Sequence, residues 1–173
     1  MGMRPANDLD ATKASTAGAQ SIVDPGWYHV EVTAIEEKDV DSDKPYTLFE
    51  LEVRAGTVPS MVNKTIRDRR YWYNNNELAQ RISQEAICLY AVQTGVCTKD
   101  ELDSMIQSGD LVFNWAKGVG AHLIVEYEHR EAKDGKKYHG VKNGQVYQLD
   151  DPRVEDKPKD SRAAQMQQAA DVF

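Results

Sequence analysis

A chain of 173 residues, 40% of them hydrophobic, is long enough for one core-forming domain with unpacked ends. Its net charge of -7 excludes a protein that is basic throughout, so any affinity for a polyanion must reside in local patches. Cys88 and Cys97 are too few for a disulfide framework or a thiolate metal site; no run approaches the ~20 apolar residues of a membrane span, no signal-peptide pattern opens the chain, and a cytoplasmic location is expected.

Residues 1–24 are rich in Ala, Ser, Thr and Asp with few large apolar groups, and read as a flexible N-terminal arm. Pro25-Gly26 opens a period-two run in which Tyr28, Val30, Val32 and Ala34 face one way and Trp27, His29, Glu31 and Thr33 the other, which predicts a first strand. Beyond the polar connection Asp41-Ser42-Asp43-Lys44-Pro45, Thr47, Phe49, Leu51 and Val53 repeat the alternation as a second strand ending near Gly56. A third strand is expected over 62–73. Asn74-Asn75-Asn76 offers caps for a helix with Leu78, Ile82, Ala86, Leu89 and Tyr90 on its apolar face, stopping at Gly95. Thr98-Lys99-Asp100-Glu101 fits a capping box for a short second helix ended by Gly109.

Strand character returns at Leu123, Val125 and Tyr127. Asp134-Gly135 and Asn143-Gly144 are hairpin dipeptides that predict successive strands over 121–130, 136–142 and 145–149. From Asp150 the composition turns polar, so 150–173 is expected to be a disordered tail whose last ten residues have the makings of a transient helix. Residues 25–149 thus form the folded domain. Three strands, a helical insertion and two or three more strands is the element order of a mostly-β, five-stranded Greek-key barrel of the OB-fold type.

Chemistry concentrates in two basic segments. Residues 64–73 interleave Lys64, Arg67, Arg69 and Arg70 with Tyr71, Trp72 and Tyr73, against one acid, Asp68. The second segment, 130–142, carries Arg130, Lys133, Lys136, Lys137 and Lys142, with Tyr138 among them. Cations neutralise phosphates and flat rings stack on unpaired bases, so this pairing points to single-stranded nucleic acid. Alternation allows only one parity of 64–73 to meet a ligand; Ile66 belongs to the core, which favours Arg67, Arg69, Tyr71 and Tyr73 as the outward set. Trp27, opposite the apolar face of its strand, joins the candidate surface. The acids between Glu31 and Glu52 read as solvated charge rather than metal ligands, the four histidines lack zinc spacing, and Gly118-Val119-Gly120 lacks a third glycine and a following helix. No cofactor, metal or catalytic residue is expected.

Pro25-Gly26-Trp27-Tyr28-His29-Val30, Phe49-Glu50-Leu51, Arg69-Arg70-Tyr71-Trp72, the helix after Asn76 and Lys117-Gly118-Val119-Gly120 before a closing hairpin together resemble a family of phage-encoded, OB-fold-like single-stranded DNA-binding proteins over about residues 22–149. The resemblance implies a non-catalytic role in phage DNA replication or recombination. The segment Ala169-Ala170-Asp171-Val172-Phe173 looks like the C-terminal tip of bacterial single-stranded DNA-binding proteins, with Val172 in place of proline, and implies that Asp171, Val172 and Phe173 dock onto replication or repair enzymes. The alternative is an adapter that recruits host replication or repair enzymes without binding DNA itself.

Overall fold

A computed structural model describes residues 24–160. Its centre is β1 (Gly26–Lys38), a 13-residue strand in which Tyr28, Val30 and Val32 are fully buried. β1 pairs antiparallel with β2 (Tyr46–Gly56) along most of its length and, through Gly26 to Glu31, with β4 (His122–Glu131). Irregular register at His29/Val30 and Val32/Ala34 bends β1 between the two partners, as bulges do. Adding β3 (Thr65–Tyr71) and β5 (Lys137–Gln148) gives one five-stranded antiparallel sheet ordered β3-β2-β1-β4-β5. The sheet curls until its two edge strands, β3 and β5, approach each other.

The concave side holds the core. Phe49, Leu51 and Val53 of β2, Ile66 of β3, Leu123 and Val125 of β4 and Val141 and Val146 of β5 all point into it. Each such side chain contributes roughly 1.5–3 kcal/mol when fully buried. Tyr28 runs where a Cβ at Gly56 would sit, 2.2 Å from its ring carbon, so the glycine predicted to end β2 is there to let an aromatic pass.

Helix α1 (Glu77–Gln93) packs into the concave side of the sheet. The Asn76 Oδ1 accepts from the Ala79 N–H at 3.1 Å, and Gly95, at φ 79°, follows the helix end. Its core face is Ala86, Ile87, Tyr90 and Ala91, with Tyr90 stacked on Phe49 at 3.9 Å between ring centroids. The apolar face expected from sequence is therefore corrected: Leu78 is 66% exposed and Ile82 36%, because they belong to a second stripe on the helix that misses the sheet. Helix α2 (Lys99–Ser108) opens with the expected Thr98/Glu101 capping box and closes at Gly109, φ 76°.

Two further expectations change. Asn143-Gly144 does not turn a hairpin; β5 is continuous, and the dipeptide lies in an irregular stretch where Val125 faces Val146 and Tyr127 already faces Val141. Gly144, at φ 78°, supplies the left-handed residue that lets four residues loop out while β4 stays paired on both sides. The chain also does not leave the domain at Asp150. Residues 150–160 form a strap over the convex face of β4 and β1, where the wholly buried Val154 packs with Ile124, Tyr147, Trp27 and Leu149. The Asp160 N–H then donates to His29 Nδ1 at 2.8 Å. Ile124 and Tyr147 lie on the convex face and would be bare without it, which is why a polar-looking segment with one valine is ordered. The expected N-terminal arm (1–24, all but Asp24) and residues 161–173 lie outside the described residues.

Candidate functional site

The seam between β3 and β5 has no ladder of its own and is held by side chains. Arg70 on β3 is 13% exposed at its side chain; its Nε donates to Asp68 Oδ1 at 2.9 Å, and its two terminal nitrogens cross the seam to the Val141 carbonyl and to Asn143 Oδ1 on β5. Asp68 is buried beneath, its second oxygen taking the Tyr90 hydroxyl at 2.6 Å. Burial, reinforced by the Asp68 carboxylate, pushes the Tyr90 hydroxyl well above the usual phenol range, so it remains a donor. Strand, helix and opposite strand thus meet on one carboxylate. Arg70, expected among the ligand-binding cations, lines the cleft at this seam but is also tied into this clasp: a guanidinium with a buried partner and two acceptors cannot leave without stranding Asp68.

The other parity of β3 faces outward as Ile66 required. Arg67, Arg69 and Tyr71 are exposed on it; β3 is shorter than the expected 62–73 and ends at Tyr71, so Tyr73, 60% exposed, lies in the connection to α1 beyond the strand. Arg69 lies over the Tyr46 ring, 4.6 Å from its centroid, and Tyr46 meets Tyr71 at 5.2 Å, giving an exposed guanidinium and two rings in one patch. Such stacking is worth about 0.5–1 kcal/mol at an exposed site. Arg67 is 3.6 Å from Glu50 and its charge is partly answered there. Lys64 is half-buried just ahead of β3, where its carbonyl accepts from the Val53 N–H at 2.8 Å.

The second basic segment arrives from the other side of the seam. Arg130 of β4 and Tyr138 of β5 are cross-strand partners, the guanidinium 5.3 Å from the ring centroid. Lys136 and Lys137 are exposed at the β4–β5 hairpin. Arg69, Arg70, Arg130, Tyr138, His139 and Asn143 line one cleft of about 150 Å³, with Asp68 and Glu128 in its wall. Two segments separated by more than fifty residues in sequence are therefore adjacent in space. His139, Asn143 and Glu128 were absent from the expected site; the Asn143-Gly144 dipeptide signalled a bend, but only the strand register shows that it reaches Arg70.

Two tryptophans leave the candidate surface. Trp72 packs on the core edge and its Nε1 donates to Thr47 Oγ1 at 3.1 Å and Glu37 Oε2 at 3.3 Å. Glu37 also accepts from Trp115 Nε1 at 2.7 Å, so an acid expected to be merely solvated receives two indoles. Trp27 is half-buried beneath the strap, with the Lys157 Nζ 4.6 Å from its ring centroid and Tyr147 alongside. Others of that acidic run are also paired: Glu31 and Glu52 with Arg54, Glu36 with Lys38.

Strand pairing brings the histidines together in twos, which their sequence spacing did not reveal. His129 and His139 are register partners with ring centroids 4.2 Å apart at the hairpin end. His29 and His122 sit beneath the strap with Nε2 and Nδ1 3.0 Å apart. Burial, then the neighbouring His122, pulls the pKa of His29 down to about 4. Among the described residues no three His, Cys, Asp or Glu side chains gather where a metal would sit. No helix among them is long and apolar enough to cross a membrane. Asp171, Val172 and Phe173 lie outside the described residues.

The chain belongs to a family described as "Protein of unknown function (DUF669)", whose model matches residues 8–153. No curated protein matches it.

Proposed function

We propose that this protein binds single-stranded DNA with little sequence preference, catalyses nothing, and serves phage DNA replication or recombination. The observation that carries the reading is the meeting of the two basic, aromatic segments across the β3–β5 seam, around a cleft lined by Arg69, Arg130 and Tyr138. The finer fold reading is an OB-type barrel. It is supported by the strand order β3-β2-β1-β4-β5, the approach of β3 to β5 and a helix inserted between β3 and β4, in a fold class whose sheet face and adjoining loops bind oligonucleotides.

In this reading Arg69, Arg130, Lys136 and Lys137 hold phosphates, while Tyr71, Tyr73 and Tyr138, all at least 36% exposed, offer rings to bases. Every base has a π-face, so stacking tolerates any sequence, and a groove of cations tracks the backbone. The clasp keeps both sides of the groove at fixed separation, with Arg70 and Asn143 forming part of its lining. The net charge of -7 confines binding to this seam. The test is a fluorescence titration of labelled single-stranded and duplex oligonucleotides with wild type and Tyr73→Ala. Preference for the single strand is expected, with Tyr73→Ala costing about 1–3 kcal/mol of affinity at unchanged thermal stability. Equal binding of duplex, or no binding of either, sinks the proposal.

A further inference from the structure

Helices α1 and α2 enclose an apolar groove of about 560 Å³ that the seam does not use. Cys88, Leu89 and Val92 of α1 form one wall; Leu102 and Ile106 of α2, with Leu111, form the other. Ile106 is 55% exposed, and the outer stripe of α1 continues the apolar surface through Ile82 and Leu78. Arg81, Glu85 and Lys99 lie on the rim. A groove of this size and lining takes the apolar face of an amphipathic helix.

The sequence contains one segment of that kind outside the described residues. In 163–173, Met166, Ala169, Ala170 and Phe173 recur at i, i+3, i+4 and i+7, while Gln165, Gln167 and Gln168 fall elsewhere on the wheel. Its one charged side chain, Asp171, is opposite in sign to Lys99, the rim charge left over once Arg81 and Glu85 pair with each other. The strap decides whose groove it fills. Asp160 is tied to His29 on the convex side of β1, whereas α1 packs its Tyr90 on Phe49 from the concave side. Between strap and groove lie the sheet and α1, two packing layers of about 10 Å each, before any detour around the barrel. The six steps from Asp160 to Met166 span at most about 20–22 Å fully extended, no more than the straight crossing through the sheet and α1, so the longer path around them is out of reach.

We propose that the groove between α1 and α2 receives residues 163–173 of a neighbouring copy of this chain. The contact joins unlike surfaces, so two copies exchange tails reciprocally, or several join head to tail. It requires no nucleic acid, and its failure would leave the DNA-binding reading untouched.

Cys88 in the groove wall reports occupancy in the full-length protein. Its alkylation by iodoacetamide, followed by peptide mapping to separate it from Cys97, is measured over a wide dilution series without DNA. Cys88 is expected to react several-fold faster on dilution of wild type. Phe173→Ala and, from the groove side, the surface change Ile106→Glu should both react at the fast rate at every concentration, with unfolding midpoints near wild type. A Cys88 rate independent of concentration in wild type, whether fast or slow, overturns the proposal, since the groove is then empty, covered within one chain or filled by something else.

Discussion

Arg70→Ala tests whether the clasp holds the β3 and β5 edges of the sheet together. The substitution deletes the 2.9 Å ion pair with Asp68 and both donors across the seam, and leaves a buried carboxylate with the Tyr90 hydroxyl as its remaining partner from the clasp. Removing one member of a buried ion pair costs about 3–5 kcal/mol; with Tyr90 still in place, the lower end applies, about 3 kcal/mol. For a domain of this size that is a fall of roughly 10 °C in Tm. Arg70→Lys keeps the charge but loses the fork, for about 1–2 kcal/mol. Replacing the whole unit, as Asp68→Leu with Arg70→Met and Tyr90→Phe, should recover most of the loss, because neither the Asp68 carboxylate nor the Tyr90 hydroxyl is then stranded. Urea unfolding followed by tryptophan fluorescence measures all three. If Arg70→Ala unfolds within about 1 kcal/mol of wild type, or the triple variant is no more stable than Arg70→Ala, the seam is not held in the way described.

Acid should loosen the strap side of the domain. His29 is held neutral with a pKa of about 4, below the unfolded value of 6.5, so the unfolded chain binds the extra proton first. The stability that His29 contributes is therefore full above the unfolded value and is lost from there down to about pH 4, by up to roughly 3 kcal/mol. His29→Asn should flatten that window, with His122, Glu31, Arg54, Lys159 and Asp160 as the surrounding charges, and an unchanged pH profile would refute the assignment. Ending the chain after Asp160 should leave the unfolding midpoint near wild type, whereas ending it after Asp150 should cost about 2–3 kcal/mol, since Val154 no longer covers Ile124 and Tyr147; equal stability of the two truncations would show the strap to be idle.

Local order carried much of this architecture. Alternation around Val30 and Val32 and around Phe49 and Leu51, the Asn76 and Thr98 caps and the Gly95 and Gly109 stops depend on near neighbours and are legible in the chain. Ile66 fixed the parity of β3, leaving Arg67, Arg69 and Tyr71 outward. What stayed hidden depends on partners far away in sequence. Asp68 reads as one more surface acid until Tyr90 and Arg70 are seen around it. Asn143-Gly144 reads as a turn because its dihedral preference suits one, but β4 pairs on both sides of it and makes a looped-out irregularity instead. Residues 150–160 look unable to order themselves, and they do not: Ile124 and Tyr147 on the convex face supply the apolar surface that orders them. The α1 face differs from expectation because the helix carries two apolar stripes, and periodicity alone does not say which one meets the sheet.

The measurement closest to the central claim is the salt dependence of single-stranded oligonucleotide binding by wild type and by the Arg69→Glu, Arg130→Glu double variant. Both guanidinium groups are exposed and lie on opposite sides of the seam, so reversal should leave the fold intact. If three to five phosphates are engaged, log Kd against log salt should have a slope of about 2 to 3.5 for wild type, and the double variant should bind at least tenfold more weakly with a visibly shallower slope. Wild-type binding that ignores salt, or a folded double variant that binds as tightly as wild type, would contradict the account.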